Sequence, residues 1–161
     1  NLFTKGEKDF IRVEADEVTY PAHVILRFEL EQAAIKGDLQ MSDLPNAWNE
    51  GMEILLGIKP PTDREGCLQD IHWYDGAWGY FPTYTLGAMT AAQLFAKAKT
   101  EKPEILESIS KGNFKPLMSW LIMNVHSKGC SLSTKDLITT ATGEPLNAKF
   151  FKSHLQNRYL N

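Results

Sequence analysis

Histidine is scarce in this chain of 161 residues: there are four, at positions 23, 72, 126 and 154, and no two are four apart. A helical His-Glu-x-x-His zinc site is therefore absent. Cysteine is scarcer still. Cys67 and Cys130 form no Cys-x-x-Cys pair and build no disulfide framework, so reduced thiols in a cytoplasmic protein are the expectation. No apolar run reaches the roughly 18 residues that a membrane-spanning helix needs. An excess of positive charge is missing too. The 17 Lys and Arg against 20 Asp and Glu leave a formal net charge of −3 and a pI near 5.8, which disfavours nucleic acid and anionic membranes as partners. Internal repeats, low-complexity tracts and convincing strand runs are lacking, as is the charged-then-apolar opening of a signal peptide. The first residue is Asn1, not Met, as in a fragment or a processed chain.

What is present suits one globular domain, residues 1–161. Hydrophobic residues make up 43% and charged residues 23%, enough for a core of its own. Asn1 to Asp9 is polar and aperiodic, a linker or a cut end. The remainder reads as all-α, with roughly six helices. Glu14 to Lys36 is rich in helix formers and has Gly37 as its stop; Pro21 either sits in the first turn of a helix starting near Thr19 or kinks a longer one. Ser42 opens a second helix with the stripe Leu44, Trp48, Met52 and Leu55, ended by Gly57. Thr83 to Lys97 carries no charge before Lys97 and should be buried nearly all round. Behind Pro116, the residues Phe114, Leu117, Met118, Leu121, Ile122 and Val125 keep helical spacing up to Gly129. Ser133 with Asp136 opens a short helix that stops at Gly143. Asn147 caps the last one, where Phe151, Leu155 and Tyr159 share a face.

The stretch from Gly66 to Gly87 stands apart. The chain has eight Phe, four Trp and five Tyr, and six of these aromatics (Trp73, Tyr74, Trp78, Tyr80, Phe81 and Tyr84) fall within 72–84. Gln69, Asp70 and His72 accompany them. Gly66, Gly76 and Gly79 argue for an irregular loop, closed by Pro82 as a helix begins. Aromatic walls with a few polar groups form a ligand pocket; the same residues also make an aromatic plug with locally bonded Tyr and His. Upstream, Asp16, Tyr20, His23, Arg27 and Glu31 step by four, three, four and four, so they share one helical face. That face is either a solvated stripe or the border of a groove.

Two blocks carry a family resemblance. Gly66-x-x-Gln69-Asp70-x-His72-Trp73, followed by Gly79-Tyr80-Phe81-Pro82-Thr83-Tyr84-x-Leu86-Gly87, resembles a signature of the carboxypeptidase Taq family of zinc metallocarboxypeptidases. Ile11-Arg12-Val13-Glu14-Ala15-Asp16-Glu17-Val18-Thr19-Tyr20, then His23-x-x-x-Arg27-Phe28-Glu29, resembles another of its motifs, in the family's order. The resemblance covers nearly the whole chain but only the C-terminal part of a family member.

It implies the C-terminal part of a larger, mainly helical, zincin-like metallopeptidase that releases C-terminal amino acids from peptides. The zinc ligands and the catalytic Glu would lie in an N-terminal half outside this sequence, so the chain alone should bind no zinc and show no peptidase activity. By the resemblance, His72 and Tyr84 are the catalytic candidates, facing the oxyanion. Tyr80 and Arg27 would hold the substrate carboxylate. Arg64, beside the loop, is either a solvent-exposed cation or a weaker second anion contact. The analogy to angiotensin-converting enzyme behind the two Tyr roles allows their exchange. Gln69, Asp70 and His23 would support the site, Asp70 by fixing the His72 tautomer. The implied partners are a peptide with a free C-terminal carboxylate, the missing N-terminal half and, as in the family, a second copy in a homodimer. The competing reading is a helical interaction module that keeps the pocket without catalysis.

Overall fold

Proline and glycine set the helix ends in the computed structural model, which describes residues 9–160. The polar stretch expected at the start therefore lies, Asp9 excepted, outside the described residues. Pro21 occupies the first turn of α1 (Tyr20–Lys36), where a missing N–H costs no intrahelical bond. The helix thus starts at Tyr20 and not at Glu14. Ahead of it come one 3-10 turn, Arg12–Glu14, and a turn in which Asp16 Oδ1 accepts from the Val18 and Thr19 amides and the Thr19 hydroxyl. Gly37 ends α1 in the left-handed conformation. A 3-10 turn, Met41–Asp43, leads into α2 (Leu44–Leu56), so Ser42 sits in that turn and does not cap the helix. Five helices follow: α3 (Pro82–Glu101), α4 (Glu104–Ser110), α5 (Lys115–Asn124), α6 (Thr134–Thr142) and α7 (Ala148–Tyr159). Among the described residues there is no strand; the fold is all-α.

The chain divides into two compact units, one through Leu86 and one from Gly87. In the first, Leu26 and Leu30 of α1 pack with Trp48, Met52 and Leu56 of α2 and with Cys67. The α2 stripe steps by four each time and ends on Leu56; Leu55 is more than a third exposed. α2 approaches α1 closely at Gly51, where a Cβ would collide with Leu26 Cδ1. The aromatic loop is tied to α1 by Glu31. Its carboxylate accepts the Trp73 indole N–H at 2.6 Å and the Gly79 amide at 3.2 Å. Gly79 stands at φ 79, a conformation that costs glycine nothing.

In the second unit Ala98, Ile105 and Trp120 form the core, lined by Leu94, Phe95, Ile109, Leu117 and Leu121. Gln93 is fully buried. Its amide donates to Thr142 Oγ1, Glu144 O and Pro145 O, and its carbonyl accepts the Asn147 amide at 2.8 Å. All its polar capacity is spent on joining α3 to the turn between α6 and α7. The Ser133 hydroxyl accepts the Asp136 amide and Asn147 accepts the Lys149 amide, as capping chemistry requires.

Two expectations are corrected here. α3 is not buried all round: only Gln93 and Ala98 are buried, while Thr83, Leu86, Ala88 and Ala91 are exposed. Alanine is the best helix former as well as a small apolar residue, so its abundance marks helicity more firmly than burial. On α5 the inward face is Leu117, Trp120 and Leu121, whereas Phe114, Met118 and Ile122 are exposed. The apolar residues of α5 run nearly all round, and the large indole of Trp120 takes the core.

Gly51→Ala tests the close approach of α1 and α2. The variant gains about 1 kcal/mol of helix propensity but must displace a core leucine, a change that typically costs about 1–3 kcal/mol. The urea midpoint is expected to fall; a rise would show that Leu26 swings clear freely.

Candidate active site

Asp70 is the only carboxylate in contact with two guanidinium groups among the described residues, and it sits where the loop meets α1. Arg12 Nη2 lies 2.7 Å from its Oδ1, and Arg27 Nη2 lies 2.6 Å from its Oδ2. The side chains of Arg12, Arg27 and Asp70 are 5%, 0% and 10% exposed, so the cluster is almost out of water. Gln69 completes it: its carbonyl accepts the Arg12 amide and Arg27 Nη2, each at 2.8 Å. Its amide donates to Phe10 O, Glu65 O and Gly66 O. Arg27 Nη1 donates to His23 O at 2.8 Å, and Arg12 Nη1 donates to the Tyr20 hydroxyl at 2.6 Å.

Aromatic faces surround the two cations. The Arg27 guanidinium carbon lies 4.5 Å from the Trp48 ring centre, and that of Arg12 lies 5.0 Å from Tyr84 and 5.5 Å from Phe81. Two guanidinium groups against one carboxylate leave an excess positive charge, and the ring quadrupoles offset part of its desolvation, at about 0.5–2 kcal/mol per contact. Burial pulls Arg27 down to about 10, against the pull of Asp70, so it stays charged at neutral pH. Burial works to raise the Asp70 carboxyl, but the Arg12 hydrogen bonds and the Arg27 charge outweigh it and hold the carboxyl below its ordinary value.

From this base the loop presents His72 and Tyr84. His72 Nδ1 lies 3.9 Å from Asp70 Oδ1, and His72 Nε2 lies 3.0 Å from the Tyr84 hydroxyl. The imidazole packs on Phe81, which is fully buried, at 4.4 Å between ring centres. His72 Nδ1 is buried and makes no hydrogen bond; the nearby Asp70 charge favours the tautomer with the proton on that nitrogen, in which Nε2 accepts from Tyr84. Desolvation raises the Tyr84 phenol above its usual value, so it is neutral and a donor. Tyr80 stands edge-on to Tyr84 at 5.4 Å and is half exposed.

Asp70, Gln69, His72, Tyr80 and Tyr84 thus come together with Arg27, as one cluster. The helical face of Tyr20, His23, Arg27 and Glu31 is not a solvated stripe: the last three are buried, and Tyr20 is half-buried. Arg27 has no exposed surface, and four of its N–H groups face Asp70, Gln69 and the His23 carbonyl, so burial keeps it from a ligand in this arrangement. Arg64 is exposed and takes no part in the hydrogen bonds or ion pairs of the cluster. Tyr20 is expected from the sequence only as a member of the α1 face, and Arg12 is not expected at the site. The signal available was that Arg12 belongs to the block Ile11-Arg12-Val13-Glu14-Ala15-Asp16, yet nothing in its spacing ties it to Asp70, 58 residues away. The loop is partly the plug and partly the pocket: Phe81 is sealed and Trp73 half-buried, whereas Tyr74, Trp78 and Tyr80 reach solvent.

The family model for carboxypeptidase Taq (M32) metallopeptidases matches residues 3–159, which sets the chain in the metallopeptidase class. The chain belongs to that family. Carboxypeptidase 1 of Bacillus subtilis (strain 168) is 45% identical over 157 residues, which is 98% of this chain and 31% of the relative. Thermostable carboxypeptidase 1 of Pyrococcus furiosus is 44% identical over 152 residues, 94% of this chain and 30% of its own length. Metallocarboxypeptidase 1 of Trypanosoma cruzi superposes with a TM-score of 0.92 at 41% identity, covering 96% of this chain and 33% of that structure. This chain therefore spans about a third of the length of the relatives it matches.

The metal implied by the family does not fit the residues present. Among the described residues no group of three or more His, Cys, Asp or Glu is placed to hold an ion. His23 is sealed beside Arg27, and His72 directs Nε2 at Tyr84.

His23 gives the cluster a pH signature. It is fully buried, neither ring nitrogen has a hydrogen-bond partner, and burial, with the Arg27 charge adding to it, lowers its pKa to about 4. The unfolded chain therefore binds a proton that the folded chain refuses between pH ~6.5 and ~4. Stability is complete above this window and is lost as the pH falls through it, by on the order of 3 kcal/mol. The depressed Asp70 adds its own loss only at lower pH, below the ordinary carboxylate range. Urea unfolding at pH 7 and pH 4.5 should show a smaller difference for His23→Gln than for the unaltered protein; equal differences would place the acid sensitivity elsewhere.

Proposed function

We propose that this chain is the C-terminal, substrate-facing part of a zinc metallocarboxypeptidase that removes C-terminal amino acids from peptides. The zinc that the family implies would be held by the remaining polypeptide of the parent and would supply Lewis acidity there. The observation that carries the reading is the hydrogen bond of 3.0 Å between His72 and Tyr84, with Asp70 3.9 Å behind the imidazole and held by two buried guanidinium groups.

Each residue then has a task set by its surroundings. Tyr84 is a neutral phenol whose O–H can turn from His72 Nε2 to an oxyanion on the scissile carbonyl, a donor in place before charge develops. His72 holds that hydroxyl and is itself oriented by Asp70. Tyr80, beside Tyr84 and half exposed, offers a second phenol to the substrate's terminal carboxylate. Arg12 and Arg27 act at a distance. The excess positive charge of the cluster favours both the oxyanion and the carboxylate through a medium of low dielectric. Arg27 is thus a positioning residue, with Gln69 and His23 packed around it, and Arg64 is left as an outlying cation that steers anionic substrate. A cytoplasmic location suits the free thiols of Cys67 and Cys130.

In the full-length parent, Tyr84→Phe is expected to lower kcat by roughly 10²- to 10³-fold with little change in KM, as loss of one oxyanion donor does. Tyr80→Phe should act mainly on KM. The reverse pattern would exchange the two roles. Full activity in both variants would leave the aromatic loop as packing alone.

A further inference from the structure

Helix α1 buries three polar side chains beside its core leucines and leaves large apolar ones exposed on its outer side. Inside lie His23, Arg27 and Glu31, each at most 2% exposed. Outside, Pro21, Ile25, Phe28, Gln32 and Ile35 step by four, three, four and three, the spacing of a helix–helix seam. Ile25, Phe28 and Ile35 are 44%, 41% and 71% exposed. Ile25 and Phe28 form one wall of a groove of about 420 Å³, over a floor that includes the buried Val24. Pro82, Thr85 and Leu86, at the start of α3, form the other wall. The hydroxyl of Thr85 is buried there without a hydrogen-bond partner. Arg27 and Glu31 are satisfied on the inner face by the Asp70 cluster and the loop, and nothing within this unit explains the outer apolar stripe.

We infer that this groove seats an apolar helix face from the polypeptide that precedes Asn1 in the full-length parent, with one polar atom of that segment meeting Thr85 Oγ1. Three observations lead there. The chain supplies about a third of the length of its relatives while reproducing their fold over 95–96% of its own, so about two thirds of a parent must pack against surfaces such as this. Seam spacing on α1 asks for a helix and not an extended strand. The groove carries no charged residue, which suits intrachain burial and not a dissociable polar partner. The inference rests on reading the chain as the C-terminal part of a longer protein, but not on any catalytic role.

Thiol accessibility in the full-length parent tests it. Single cysteines are introduced by Ile25→Cys or Phe28→Cys, with Ile54→Cys as control, after Cys130→Ser removes the exposed thiol; Ile54 is 83% exposed on α2 of the same unit. A maleimide is expected to label positions 25 and 28 at least tenfold more slowly than position 54, at every protein concentration. Labelling at equal rates overturns the inference. So does protection that disappears on dilution, because the occupant would then be a second copy, and so does a reading frame with no polypeptide upstream of Asn1. The rates are read without a peptidase assay, so a failed Tyr84 experiment leaves this result standing.

Discussion

One carboxylate clamped between two guanidinium groups organises the first unit of this chain. Asp70 comes from the loop, Arg27 from α1 and Arg12 from the turn ahead of it, so three segments distant in sequence meet in one ion cluster. Such a cluster is costly to desolvate and adds stability only if every donor and acceptor is used. Here most are: Gln69 takes the Arg12 amide and an Arg27 donor, Tyr20 takes an Arg12 donor, the His23 carbonyl takes an Arg27 donor, and Trp48, Phe81 and Tyr84 face the cations. Removing one member would strand a buried charge at a cost of about 3–5 kcal/mol. Geometry is therefore fixed by a penalty for leaving it, and His72 and Tyr84 inherit that rigidity.

The same constraint accounts for the polarity of α1. A helix usually hides its apolar stripe and wets its charges. α1 must deliver Arg27 and Glu31 inward, one to Asp70 and the other to the indole and amide of the loop. Leu26 and Leu30 share the inner side with them, and the remaining apolar residues, Ile25, Phe28 and Ile35, are left facing outward. The buried charges of the inner face and the exposed apolar stripe of the outer face are thus two results of one helix register.

Local chemistry was legible in the sequence and long-range pairing was not. Pro21, Gly37, Gly57, Ser133, Gly143 and Asn147 announce turns and caps because each acts on its own backbone or within three residues of it. The face holding Tyr20, His23, Arg27 and Glu31 was visible as helical spacing, but whether it met water or protein depended on Asp70 and Trp73, more than 40 residues on. The family motifs placed Asp70, His72 and Tyr84 in one site. They did not reveal that Arg27 is sealed or that Arg12 shares its carboxylate, because burial is decided by packing and not by the charge of a residue. The all-round apolar composition of α3 misled for a related reason: alanine serves helicity and burial alike, and composition does not separate them.

The central claim, that clamped Asp70 orients His72 and through it Tyr84, is tested most directly by ¹⁵N chemical shifts of the His72 ring at neutral pH in the full-length parent. The expected result is a protonated Nδ1 facing Asp70 and an unprotonated Nε2 accepting from Tyr84. A proton on Nε2 with a bare Nδ1 would contradict it, because the carboxylate would then face a lone pair and could not be what sets the direction of the ring.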